Sequence, residues 1–256
     1  MSLYKYLSLD DNIKERVFNN LKNHSLWFSN PNDFNDPFDC KLDEVQLHTS
    51  ADIANYFNHL KNRKYPINDL NSIKKFALSN PLKLRDSILK NREKSINNSG
   101  ILCMSKSNDN LLMWSHYANA HAGVCLGFTP HEKSLQKGEF FHVPLEVNYI
   151  DSYVPTNYCA EKLEAIKYNI STKQSMWSYE QEVRILKTGF SSSETRLRKY
   201  IPTDLTGIYF GLATSDMNMN EIKKLCESTP DLRHVTLYKA KKMPASFNID
   251  FEIYRP

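Results

Sequence analysis

A chain of 256 residues carries 33 Lys and Arg against 29 Asp and Glu, a net charge of +4 with 41% apolar residues. That length supports a large core without staples and suits one domain over 1–256, since no Pro/Gly/Ser-rich linker divides it. The small charge excess excludes a nucleic-acid footprint, and the odd, dispersed set Cys40, Cys103, Cys125, Cys159 and Cys226 argues against a disulfide framework or a thiolate zinc site.

The opening residues lack a basic region followed by an apolar run, and no apolar stretch approaches the ~20 residues that span a bilayer, so a cytosolic protein with no membrane partner is expected. Leu3–Leu7 reads as a short aromatic strand. Asp10 or Asp11 can cap a helix over Asn12–Asn23, which places Ile13, Val17 or Phe18, and Leu21 at helical spacing. Leu26–Ser29 is a second strand. Residues 30–40, NPNDFNDPFDC, are a turn built by Asn, Asp and Pro, with Phe34 and Phe38 as core anchors and Asp36 held at a pocket rim. Residues 50–98 read as a polar helical insertion, broken near Pro66 and Pro81.

Strands follow at Ile101–Ser105, Ala122–Phe128 and Leu145–Ile150, with a short helix at Leu111–Ala120 and another at 159–173. Glu182–Lys187, Leu205–Phe210 and His234–Lys239 complete about eight strands, the last two separated by a helix near 216–227. Few of these alternate strictly with helices. The expected class is α+β with a mainly antiparallel central sheet.

Three clusters carry polar chemistry. The first is the Asx turn. In the second, helical spacing puts Trp114, Tyr117 and His121 on one face and His116 on another. The two histidines stand five residues apart, about 140° around a helix axis, which does not suit joint metal chelation. Ser115, His116 and Tyr117 beside Trp114 can stack on and hydrogen-bond a base, a ribose or a peptide. In the third, strand alternation puts Glu180, Glu182 and Arg184 on one face opposite Val183 and Ile185. Two carboxylates around a guanidinium form either an edge-strand ion-pair ladder or a site for ribose hydroxyls and a cationic transition state. No phosphate-cradling GxxxxGK[ST] or GxGxxG motif occurs.

The segments LYKY (3–6), LWFSNPNDFNDPFD (26–39), GILCMS (100–105), LMWSHYANAHAGVCLGF (112–128) and WSYEQEVRI (177–185) together resemble the bacterial family catalogued as domain of unknown function 2971. That resemblance implies a grouping and no agreed activity. The order of elements is also similar to an ADP-ribosyltransferase-like domain. This second resemblance implies NAD as co-substrate and a protein or nucleic-acid acceptor. It gives Glu182 the role of gripping the ribose and stabilising an oxocarbenium-like state, Glu180 the substrate-side role, and Ser105 the positioning of the ribose. Tyr4, Lys5 or Tyr6 stand where that fold carries Arg or His. Two other functions fit the same residues. One is a phosphoesterase or nuclease with a divalent metal among Asp36, Asp39, Glu180 and Glu182, assisted by His116. The other is a non-catalytic sensing or interaction domain.

Overall fold

The computed structural model describes residues 1–42, 48–62, 69–157, 159, 162–190 and 196–255. The chain begins with β1 (Leu3–Leu7), α1 (Lys14–Lys22) and β2 (Ser25–Trp27), followed by the helices α2 (Ser50–Asn62), α3 (Leu70–Ser79) and α4 (Pro81–Asn97). Next come β3 (Ser99–Ser105), α5 (Leu111–Tyr117), β4 (Val124–Phe128), β5 (Leu145–Glu146), β6 (Asn148–Ile150), α6 (Lys162–Ser171), β7 (Thr172–Gln174) and β8 (Glu182–Thr188). The last elements are β9 (Leu197–Lys199), β10 (Leu205–Phe210), α7 (Asp216–Ser228), β11 (Thr236–Lys242) and β12 (Ile249–Ile253).

Eight strands form one sheet in the order β12-β11-β10-β4-β1-β3-β8-β5. Among the described residues β10 and β11 pair parallel within it, and the other pairs are antiparallel. This is the α+β class with a mainly antiparallel sheet. Strand alternation splits its side chains into two faces. Leu3, Leu102, Met104, Leu126, Val183 and Ile185 join Val17 and Leu21 of α1 and Met219 and Ile222 of α7 in the largest apolar cluster. On the opposite face Tyr6 and Cys125 meet Met113 and Trp114 of α5, and Ile101 meets Cys40 and Ile170. The sheet is therefore covered on both sides where β3 and β8 run.

Several elements depart from the pattern-based expectation. Asp10 does not cap α1: its carboxylate accepts from the Asn12 backbone, and α1 starts after Ile13 without a side-chain cap. β2 pairs with β9 outside the main sheet, leaving only a Ser29↔Ile101 bridge to β3. The stretch expected as one strand over Leu145–Ile150 splits at Val147. β5 pairs with β8 and β6 with β7. β8 is not an edge strand, since β3 and β5 flank it. α5 stops at Tyr117 because Asn119, Ala120 and His121 take φ of +49°, +49° and +69°, a left-handed run that no α-helix accommodates. β12 had no counterpart in the sequence reading.

The polar stretch after residue 50 is helical as expected. α2, α3 and α4 gather around a small cluster of Ile53, Phe57 and Ala77. Pro81 occupies the first turn of α4, where its missing N–H costs nothing; the break near Pro66 lies outside the described residues. No helix among the described residues is long and apolar enough to cross a membrane.

Candidate functional site

β1 and β3 share a single registered pair, Tyr4↔Ser105. β3 and β8, by contrast, run in register from Ser99↔Thr188 to Ser105↔Glu182. Tyr4, Ser105 and Glu182 thus form one row across three neighbouring strands. A cleft of about 390 Å³ lies along this row, lined by Tyr4, Lys5, Tyr6, Ser105, Tyr117, Glu180 and Glu182, with Asp39 and Lys173.

The wall of this cleft is a buried ion-pair network. The Arg184 side chain is fully buried. Its two terminal nitrogens donate to Asp39 Oδ1 and Oδ2, each at 2.7 Å, and Nε and Nη2 donate to Glu182 Oε1 and Oε2 at 2.8 and 2.9 Å. One guanidinium therefore clamps two carboxylates, each bidentately. Lys173 Nζ stands 2.5 Å from Glu180 Oε2 and 3.4 Å from both Glu182 and Asp39. The Tyr117 hydroxyl donates to Glu180 Oε1 at 2.6 Å. The Phe34 ring covers Arg184 at 5.7 Å, and the Trp177 ring covers Lys173 at 4.9 Å. Three carboxylates against two cations leave one surplus negative charge in a water-poor wall.

Local backbone chemistry delivers these groups. Glu180 ends the 3-10 helix Ser175–Glu180 and does not lie on β8. Gln181 takes φ +44°, and this left-handed step turns both flanking glutamates toward the cleft. Strand alternation, from which a shared face was expected, accounts for Glu182 and Arg184, two residues apart on β8, but not for Glu180. Asp39 arrives on the Asx turn. There Asn30 Oδ1 accepts from the Asn32 N–H, Asp36 Oδ1 accepts from the Phe38 N–H, and Cys40 takes φ +59°. Phe28 is fully buried and anchors the approach to this turn, whereas Phe38, expected as an anchor, is 54% exposed.

The two glutamates differ in their protonation behaviour. Burial pushes the Glu182 carboxyl up, but the Arg184 guanidinium with its hydrogen bonds, aided by Lys173, more than offsets this and holds it at about 2. For Glu180 burial wins over the lysine and tyrosine contacts, and its carboxyl is raised. Burial alone would depress Lys173; Glu182, Glu180 and Asp39 reverse this and raise it, so it stays an ammonium. Burial and the bond to Glu180 keep the Tyr117 hydroxyl protonated.

Not every residue singled out in the sequence reaches the cleft. His116 is exposed, its ring against Tyr117 and Tyr179. Trp114 is fully buried, edge-on to Tyr6 and donating from Nε1 to Asn108 O at 2.7 Å; it offers no open stacking platform. His121 is carried by the left-handed run and not by α5. Its ring stacks on Trp114 at 6.4 Å and lies 3.2 Å from the Ser115 hydroxyl. Asp36 is buried beside a separate pocket. Lys173, at the centre of the network, had no signal in the sequence beyond being one lysine in a polar stretch.

The fold and cleft define an α+β protein with a buried, charge-paired wall along a cleft. A family model described as "Protein of unknown function (DUF2971)" matches residues 113–185, which include Tyr117, Lys173, Glu180, Glu182 and Arg184. The match supports the family resemblance drawn from the sequence segments. No curated protein and no solved structure matches the chain.

Proposed function

We propose that the cleft binds NAD and transfers its ADP-ribosyl group to a protein or nucleic-acid acceptor. One observation carries this reading: Glu182, a buried carboxylate held ionised, stands in a cross-strand row with Ser105 and Tyr4 on a wall of surplus negative charge. Cleavage of the ribosyl C1′–N bond sends the electron pair out with nicotinamide and leaves positive charge on the ribose. A preorganised carboxylate in a site of low water content stabilises that charge. The acceptor nucleophile then bonds to C1′ and loses a proton, for which Glu180, with its raised carboxyl, is the matched base. The Tyr4 hydroxyl offers a hydrogen bond to the ribose, and Ser105, fully buried with its hydroxyl accepting from the Ser107 N–H, would fix the strand end beneath it. The cavity suits the nicotinamide-ribose half, with the adenylate outside it.

Nicotinamide release from NAD tests the proposal. The unmodified protein is expected to release it. Glu182→Gln should fall below a hundredth of that rate, and Ser105→Ala about tenfold, both with an unchanged circular dichroism spectrum. Release at full rate from Glu182→Gln ends the reading.

A second reading has its own support. Both oxygens of Glu182 are engaged by Arg184, and both of Glu180 by Tyr117 and Lys173. Such saturation suits a non-catalytic binding domain whose carboxylates are architecture. Binding of NAD by the unmodified protein without any release would favour it. The divalent-metal reading has less support. Among the described residues no group of three or more His, Cys, Asp or Glu side chains is arranged to hold an ion, and the Lys173 and Arg184 cations occupy the space between the carboxylates.

A further inference from the structure

A second pocket, of about 200 Å³, shares Asp39 and Lys173 with the cleft. Its floor is formed by buried residues, Asp36, Leu42, Thr172 and the two shared residues, and its sides by Phe38, Ile150 and Tyr153 with the polar Asp151, Ser152 and Gln174.

Two polar groups on that floor lack the partners that burial demands. Asp36 is 5% exposed. Its Oδ1 accepts the Phe38 N–H at 2.9 Å, yet among the described residues no cationic side chain pairs with its carboxylate. Thr172 is 2% exposed, and among the described residues its hydroxyl has no hydrogen-bond partner. A buried carboxylate without a counter-charge and a buried hydroxyl without a bond are each costly in a folded protein. The adjoining network cannot neutralise Asp36, since it already carries a surplus negative charge. The apolar part of the lining, Phe38, Leu42, Ile150 and Tyr153, suits methylene groups better than a hydrated metal ion. The half-exposed Phe38 ring at the mouth is placed to lie along such a stem.

We propose that this pocket binds an organic cation, an ammonium or guanidinium group on a short aliphatic stem, with the charged head on the Asp36 carboxylate and the Thr172 hydroxyl. A group of this kind supplies the missing counter-charge and several N–H donors at once. The site is independent of the NAD-using activity proposed for the larger cleft.

Calorimetric titration of the full chain with 1,4-diaminobutane and with agmatine tests it, with 1-butanol as the uncharged control. Both amines are expected to bind and 1-butanol is not. Asp36→Asn, which keeps an acceptor for the Phe38 N–H, should weaken amine binding at least tenfold. Thr172→Val should weaken it several-fold, and serves as the decisive variant if Asp36→Asn does not fold. Ser105→Ala, in the larger cleft, should leave amine affinity unchanged. Absence of amine binding by the unmodified chain overturns the proposal. So does unaltered binding by Asp36→Asn or Thr172→Val, or an equal loss in Ser105→Ala, which would move the amine to the other cleft.

Discussion

Lys173 lies among three carboxylates with its side chain 5% exposed, so its loss leaves Arg184 alone to balance Asp39, Glu180 and Glu182. Lys173→Met keeps the volume and removes the charge. Unpairing buried charges in this way costs about 3–5 kcal/mol, read as a lowered urea midpoint. The exposed pair Lys167–Glu164 provides the contrast: Lys167→Met should cost under about 1 kcal/mol. Glu182 adds a pH dependence with a definite sign. Its folded carboxyl is depressed from 4.5 to about 2, so its contribution is fully present above about 4.5 and is lost as pH falls toward 2. The difference amounts to on the order of 3 kcal/mol. Stability of Glu182→Gln, measured by denaturant titration from pH 5 to pH 2.5, should fall less steeply than that of the unmodified chain; equal slopes would show that another group carries the acid sensitivity. At this scale the sequence disclosed part of the site. Glu180, Glu182 and Arg184 stand out because three charges crowd one apolar stretch. Lys173 does not, because a lysine in Ser-Thr-Lys-Gln-Ser reads as solvated until β7 is known to tuck it under Trp177. His116 looked eligible for the converse reason: its neighbours are polar, but the rotation of α5 sends it to solvent.

Between α5 and β4 the chain holds three consecutive left-handed residues, Asn119, Ala120 and His121. For a residue with a Cβ this conformation costs roughly 1–2 kcal/mol, and the run persists because its surroundings fix it. Ala213 N–H donates to His121 O, and Gly123 N–H to Ala118 O. Ala120 is exposed, so Ala120→Gly relieves strain without emptying the core. Greater freedom of the unfolded chain offsets part of that gain, leaving an expected stabilisation of about 0.5–1 kcal/mol by thermal or chemical denaturation. Gly211 should respond oppositely. A Cβ there would come within 2.1 Å of His121 O and 3.0 Å of the Trp114 ring, and backbone gives way poorly. Gly211→Ala should cost at least about 2 kcal/mol, and near-neutral behaviour would mean that the run is not fixed from this side. The left-handed turn also explains the misplaced His121: helical periodicity extrapolates through Ala120, whereas a backbone reversal leaves no mark on side-chain spacing. The strand over Leu205–Phe210, by contrast, was legible to the residue, because both its faces are apolar and Pro202 and Gly211 bound it. β5 and β6 were not separable, since their division depends on Val147 N–H bonding to Glu182 O, a contact with a distant strand.

Across the molecule, apolar burial is uneven, and this predicts a hierarchy of opening. The side chains of β1, β3, β4, β8 and β10 share one large cluster with α1 and α7. The helical segment α2–α4 relies on small groups, Ile53, Phe57 and Ala77 and Ile88 and Leu89 against Ala165; α4 has no buried side chain of its own, and Phe76 and Leu82 are more than half exposed. Elements with few buried apolar groups open at lower free energy than the core they rest on. Amides of α3 and α4 should therefore exchange through a partial opening at least about 2 kcal/mol cheaper than that of β4 and β10, resolved by hydrogen-exchange mass spectrometry under native conditions. Low urea should accelerate exchange in the sheet peptides more steeply than in α3 and α4, because only global unfolding exposes the larger surface. The network around Arg184 sharpens the expectation. Asp39, Lys173, Glu182 and Arg184 tie the Asx turn, β7 and β8 together through ion pairs in which α2–α4 take no part, so a partial opening of those helices leaves these pairs in place even though α4 also contacts the turn and Leu42 through Asn97 and Arg92. If α3 and α4 instead exchange at the free energy and urea dependence of β4, the helices are part of the same cooperative unit as the sheet, and the site depends on them.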